Sequence, residues 1–185
     1  MNELYNNLQE DGGLYLKPNF FPEKMYNNLL DKFEKNTFAE TFEPAKRLFG
    51  HRFQGYPCHN LILEEGEEYN FIKNFINTSL NLNEFNLVVK LRKVYSDEIL
   101  KSKCDGHYGY VHTDTGSLVA GVVHFEQTID GGTAFFEHYI DKHPDMKVGA
   151  YPNRLIMYSS SKYHSSCQDF NFKVRRILAF FVEKV

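Results

Sequence analysis

Apolar positions in the first half of the chain recur with a helical period. Met25, Leu29 and Phe33 follow one another at i, i+4 and i+8, with Tyr26 and Leu30 widening the stripe, and Pro22 suits a helix's first turn. This spacing predicts a helix from Glu23 to about Lys35. Tyr69, Ile72, Ile76 and Leu80 predict a second from about Glu67 to Leu80, its acidic start (Glu64 to Glu68) reading as a solvated face favoured by the helix dipole. Leu14-Tyr15-Leu16 reads as a short strand ending at Pro18, and the stretch from Thr37 to Asn60, rich in Phe, Arg, Gly and Pro, reads as irregular.

Beyond Asn83 the period shortens. Leu87 to Tyr95 alternates and is rich in β-branched residues, as a strand is. Further strands are expected near 107–112, 118–126, 132–138, 153–158 and 172–183, with Asp130-Gly131-Gly132 and Tyr151-Pro152-Asn153 as turns. Two helices followed by six or more strands predict a mainly β protein with helices packed on a sandwich or jelly roll. No repeat or linker interrupts the 185 residues, so one domain is expected, with a helical part at about 1–83 and a β core at about 84–185.

Composition narrows the function. Aromatics make up 16% of the chain, too many for a disordered protein, and a net charge of -3 with interspersed signs gives no basic footprint for nucleic acid. Three cysteines, Cys58, Cys104 and Cys167, without repeating spacing argue against a disulfide framework. Together with a start that resembles no secretion signal and no apolar run near the roughly 20 residues that span a bilayer, this predicts a cytoplasmic protein.

The candidate chemistry starts at His112-Thr113-Asp114. Residues i and i+2 of an extended chain project to one side, so an imidazole and a carboxylate can reach one metal ion, with a third ligand from a neighbouring strand. Two His and one carboxylate with open positions suit iron(II). His143-Pro144-Asp145 and His124-Phe125-Glu126 fit the same spacing; the first lies in a Lys- and Pro-bearing loop, the second in a good strand. His164 follows the apolar run Leu155 to Tyr158 and a Ser-rich turn. Arg175 and Arg176 then open the last strand, where their opposite parity sends one inward, to face an anion. Cys167 reads as packing, since a thiolate would suit zinc or copper. Gly131 and Gly132 read as turn formers, with no phosphate-cradling pattern.

From about Lys90 onward these residues resemble the Fe(II)/2-oxoglutarate-dependent dioxygenases, in particular the prolyl-hydroxylase-like branch. The stretches that carry the likeness are Tyr95, Tyr110 to Asp114, Gly131 to Phe136, Asn153 to Tyr158, His164-Ser165-Ser166, and Arg175 leading into Phe180-Phe181-Val182; the early Asn19 to Glu23 resembles the same group's entry into its first helix. The resemblance implies a double-stranded β-helix (a cupin-like jelly roll) with N-terminal helices outside, and iron bound by His112, Asp114 and His164. It implies Arg175, six positions before Phe181, as partner of the far carboxylate of 2-oxoglutarate, with Tyr95 lining that pocket. His124 stands where relatives often have a tyrosine on the same carboxylate, so cosubstrate contact and plain core packing both remain open for it. Phe49, Phe53 and Tyr56 lie where relatives place substrate-covering segments. The implied activity is hydroxylation of a C–H bond in a peptidyl or amino-acid-like substrate, consuming O2 and releasing succinate and CO2, with ascorbate in support. The alternative is a non-catalytic jelly-roll binding protein with a structural metal; a cupin enzyme without cosubstrate is disfavoured by the missing His-x-His…Glu…His spacing.

Overall fold

A computed structural model of the chain describes residues 3–10, 13–42, 57–82, 84–95, 111–141, 143–167 and 171–185. In chain order the elements are α1 (Glu3–Gln9), β1 (Leu14–Lys17), α2 (Glu23–Lys35), β2 (Ala39–Phe42), β3 (Pro57–Leu63), α3 (Glu67–Leu80), β4 (Asn86–Tyr95), β5 (Ser117–His124), β6 (Thr128–Phe136), β7 (Met146–Ala150), β8 (Leu155–Ser159), β9 (Tyr163–Cys167) and β10 (Val174–Glu183). A seven-stranded antiparallel sheet runs β1-β8-β5-β10-β4-β3-β2, and a three-stranded sheet runs β7-β6-β9. This is the expected jelly roll, with helices on the outer face of the larger sheet.

The alternation of strand residues separates two cores. On β10, Leu178, Phe180 and Val182 join Val89 and Leu91 of β4, Val119 and Val123 of β5, and the apolar stripes of α2 and α3. The opposite parity points at the smaller sheet, where Phe181, Ala120, Ile156 and Tyr158 meet Phe135 and Val148. Gly121 pairs with Phe180 across β5 and β10, and a Cβ there would lie 2.2 Å from the Phe180 ring. The large ring on one strand thus requires the missing side chain on the other.

Both expected helices form as bounded, α3 ending on Asn81 in the left-handed conformation (φ 52°), which asparagine tolerates at helix ends. The segment Asn19 to Glu23 is tied to the loop before β8. The Asn153 side chain accepts from Phe21 N and donates to Phe21 O, both at 2.8 Å, and Phe20 N donates to Asn153 O. Asn153 N in turn donates to His124 O at 3.0 Å, so one asparagine (φ 56°) ties the helix entry to the end of β5.

Several elements differ from the sequence reading. The stretch 37–60, read as irregular, contains β2 and the start of β3, and β1, β2 and β3 extend the larger sheet alongside the helices. α1, β7 and β9 were not read at all. β9 is Tyr-His-Ser-Ser-Cys, too polar to announce a strand, yet Ser165 and Cys167 are fully buried because small side chains fit where it packs on β6. Apart from Val111 and His112, the strand expected near 107–112 lies outside the described residues, as do Phe49, Phe53, Tyr56 and Cys104. Among the described residues no helix is long and apolar enough to cross a membrane.

Candidate metal centre

His112 and His164 are locked together by their backbones. Each donates its N–H to the other's carbonyl at 2.9 Å, an isolated bridge that brings the ring centroids to 4.4 Å. Asp114 is fixed by its own N–H, which donates to Ser160 O at 2.9 Å, and by a tight turn in which Ser117 N donates to Asp114 O. Gly116, at φ 103°, permits that turn. Asp114 Oδ1 lies 3.7 Å from His112 Nε2, and Asp114 Oδ2 lies 3.3 Å from His164 Nε2. One ligand atom from each of the three residues lies within 4.8 Å of the other two.

The His164 ring bears on what this cluster could hold. Its Nδ1 is 2.9 Å from Lys162 O, and a carbonyl only accepts, so Nδ1 carries the hydrogen. Burial, and then the neighbouring His112, pull the His164 pKa down to about 3, the Lys162 contact opposing them. The ring is therefore neutral, and its bare Nε2 lone pair faces a carboxylate oxygen. Two electron-rich atoms at 3.3 Å repel unless a proton or a metal cation lies between them. The donor set, two imidazoles and one carboxylate, fits a divalent first-row metal with open positions, and the Lys162 carbonyl fixes the ligating tautomer.

A file of polar groups leads inward from this centre. Tyr158 of β8, 2% exposed, packs its ring 4.7 Å from His164 and 5.1 Å from Phe135. Burial and the Asp114 carboxylate push its phenol well above the ordinary value, against the pull of Arg175 and Arg92. Arg175, on the face of β10 toward the smaller sheet, donates Nη2 to Gly132 O at 3.0 Å. On the same face His124, paired with Ile177 two residues from Arg175 along β10, is 1% exposed, and neither of its ring nitrogens has a hydrogen-bond partner. Burial first, then the charges of Arg175 and Arg154, hold His124 well below the usual imidazole pKa. A buried neutral imidazole next to two guanidinium groups is poised to meet an anion.

Strand parity separates the two arginines. Arg176 faces the helices: its Nε donates to Glu126 Oε1 at 2.7 Å and its Nη1 to Glu34 Oε1 of α2 at 2.8 Å. The same pairing accounts for Glu126, which turns away from the metal cluster because the strand ends at His124. His143 is exposed and takes no part in the cluster. Cys167 packs with Ala134 and Phe136, its thiol pushed up to about 11 by burial, as a packing residue would be.

Tyr95 is the site candidate that the fold does not bring in. It pairs with Val174, so it shares the helix-side parity of Leu91 and Val89; it is 45% exposed and its ring meets His59 edge-on at 5.0 Å. Val94, paired with Arg175, holds the inward position instead. Tyr158, which packs on His164, and Arg154 and Arg92, whose charges bear on His124 and Tyr158, were not singled out from the sequence. The signal was available for Tyr158, since alternation from Ile156 places it on the inner face.

His124 gives the fold a pH dependence. Below about pH 6.5 the unfolded chain's imidazole takes up a proton, while the folded one, with its lowered pKa, does not. Its stabilising contribution is therefore complete above that pH and declines on acidification. Urea unfolding from pH 7.5 to 5 should show a decline, up to about 1.4 kcal/mol per pH unit from this residue, that is shallower in His124→Gln. Identical slopes would show that His124 is solvated in the fold.

No family model matches the chain, and no curated protein matches it by sequence. Solved structures do match. A Pseudomonas putida prolyl-4-hydroxylase superposes with a TM-score of 0.65 at 13% identity, over 98% of this chain and 99% of that one. A Trichoplax adhaerens prolyl hydroxylase, in complex with a hypoxia inducible factor oxygen degradation domain peptide fragment, gives 0.63 at 12% identity over 97% and 87%. The epimerase SnoN, in complex with Fe3+, alpha-ketoglutarate (2-oxoglutarate) and nogalamycin RO, gives 0.64 at 10% over 98% and 82%. At such identities these are likenesses of fold.

Proposed function

We propose that the protein is an Fe(II)- and 2-oxoglutarate-dependent dioxygenase that hydroxylates a C–H bond of a peptidyl or amino-acid-like substrate. The observation that carries this reading is the Nε2 of His164 held 3.3 Å from the Asp114 carboxylate, with His112 completing a donor set that can hold a cation. The order of polar groups behind it supports a two-ended anionic cosubstrate, and solved structures of the same fold include prolyl hydroxylases and an iron- and 2-oxoglutarate-bound enzyme.

In this reading His112, Asp114 and His164 hold iron(II) and leave the remaining positions for cosubstrate, O2 and access to the substrate. Bound iron, 2-oxoglutarate and O2 together supply the oxidant, one oxygen atom passing to the substrate C–H bond and the other to succinate, with loss of CO2. Arg175 takes the far carboxylate, a planar fork suited to a fixed carboxylate, and His124 donates to the same group from its N–H. Ile156, Phe135 and Tyr158 wall the pocket and keep bulk water from it. The His112 side chain, 38% exposed, marks the side on which a substrate enters. The peptidyl preference draws on the prolyl hydroxylases among the fold neighbours.

The test is anaerobic. Iron(II)-loaded protein should develop a weak metal-to-ligand charge-transfer band on addition of 2-oxoglutarate, and then yield succinate when given O2, ascorbate and a peptide and metabolite library scanned for added oxygen. A protein that kept zinc through dialysis and whose melting temperature ignored 2-oxoglutarate would be a structural-metal jelly roll instead.

A further inference from the structure

Tyr158 carries a hydroxyl that its packing does not require. β8 runs Leu155, Ile156, Met157, Tyr158, all fully or nearly fully buried, and a phenylalanine would fill the same space between Phe135 and His164. Burying a phenolic oxygen costs free energy unless something meets it. Ala120 on β5 and Leu14 on β1 flank Tyr158 in register, and neither offers a side-chain partner. The charges that act on the hydroxyl are the Asp114 carboxylate, on the metal side, and the Arg175 and Arg92 guanidinium groups. The ring thus lies between the two sheets, against His164 of the triad and on the face of the larger sheet that carries Arg175.

We infer that Tyr158 is a positioning residue for the cosubstrate, its O–H donating a hydrogen bond to the 2-oxo acid that spans the triad and Arg175. The inference rests on the proposed function and adds a residue to it. The chemistry matches: a phenol is protonated at neutral pH and donates, whereas an ionised 2-oxo dicarboxylate offers only acceptors. Arg175 alone would grip the far end of such a ligand. A donor at the wall between the two ends adds a second fixed point, which restricts rotation of the chain about its anchor.

Tyr158→Phe tests the hydroxyl alone, because the ring and its packing stay. Wild-type and variant protein, loaded anaerobically with Fe(II), are titrated with 2-oxoglutarate by calorimetry and by the charge-transfer band. The variant should bind 2-oxoglutarate on the order of tenfold more weakly, the cost of losing a hydrogen bond to a charged acceptor, with the band displaced, Fe(II) affinity kept and the melting temperature not lowered. Should Tyr158→Phe prove unstable, 3-fluorotyrosine in place of Tyr158 gives a more acidic donor of similar volume, and affinity should then rise. Equal affinity and an unmoved band would assign Tyr158 to the core and overturn the inference while the proposed function stands. A wild-type protein that fails to bind 2-oxoglutarate at all overturns both.

Discussion

Asp114→Ala is expected to abolish turnover and weaken Fe(II) binding by more than about 100-fold, beyond the 10–100-fold that loss of an outer hydrogen-bonding partner costs a metal site. The more telling expectation concerns the metal-free protein. In the native cluster a carboxylate oxygen lies 3.3 Å from the lone pair of a buried neutral imidazole, a placement unfavourable until a cation arrives. Removing the carboxylate relieves that repulsion, so metal-free Asp114→Ala should melt at or above the wild-type temperature. Only the wild type should then gain stability as Fe(II), or Co(II) as a redox-inert probe, is added. This is the pattern of a group retained for function at some expense of stability. A metal-free variant that melts several degrees lower would make the Asp114 side chain a structural group, since the backbone bonds of Asp114 to Ser160 and Ser117 survive the substitution. Undiminished metal affinity would place the ligands elsewhere.

What the sequence disclosed follows from which signals survive without a partner strand in view. β4 announces itself by alternation, with Leu87, Val89 and Leu91 buried and Lys90 and Arg92 alternating with them, and β5 and β10 by apolar runs buried on both faces. His112-x-Asp114 is legible because two residues on an extended chain share a side whatever lies opposite. The parity of Arg175 and Arg176 is legible for the same reason, although which of them faces the pocket is fixed only by the side on which α2 places Glu34. Tyr95 illustrates the limit. Counted from a family pattern it belongs in the pocket, but the unbroken register of β4 with β10 turns it to the helix side and gives Val94 the inward position. A single bulge would reverse that assignment, and bulges leave little trace in sequence.

β9 was illegible for a different reason. A strand of His, Ser and Cys is stabilised by its pairing with β6 and by close approach of small side chains, and neither shows in hydrophobic periodicity. His164, the third member of the cluster, was therefore read from its position after an apolar strand, with no strand of its own in view. β2 and β7 are short, below the length at which alternation distinguishes itself from chance, whereas the equally short β1 was legible from Leu14-Tyr15-Leu16 and the Pro18 that follows it. The burial of His124 could be guessed from its strand, but its orphaned nitrogens and its two guanidinium neighbours depend on the fold. The Asn153 tie brings the chain beside Arg154 against the end of β5.

Arg175→Met and Arg176→Met should separate cleanly, and in opposite observables. Arg175 is 8% exposed on the face of β10 toward the smaller sheet, with His124 and Tyr158 in its field. Removing a buried partner of a carboxylate costs about 2–5 kcal/mol, so Arg175→Met should raise the Kd for 2-oxoglutarate by 30-fold or more on the order of that range. Folding stability should change little, because the methionine is accommodated where one of the cations bearing on His124 has been removed. The acid-side loss of stability attributed to His124 should shift to lower pH-sensitivity in the same variant, since a weaker positive field lets its imidazole protonate more readily in the fold. Arg176→Met should do the reverse. It strands the Glu126 carboxylate, whose side chain is 8% exposed and bound to both Nε and the backbone N–H of Arg176, at a cost of about 1–3 kcal/mol. Affinity for 2-oxoglutarate should be unaffected, because the broken pair lies across the sheet from the pocket. Arg176→Met weakening 2-oxoglutarate binding while Arg175→Met spares it would mean that the faces of β10 are assigned the wrong way round. The jelly roll would then need a different register to hold any cosubstrate at all.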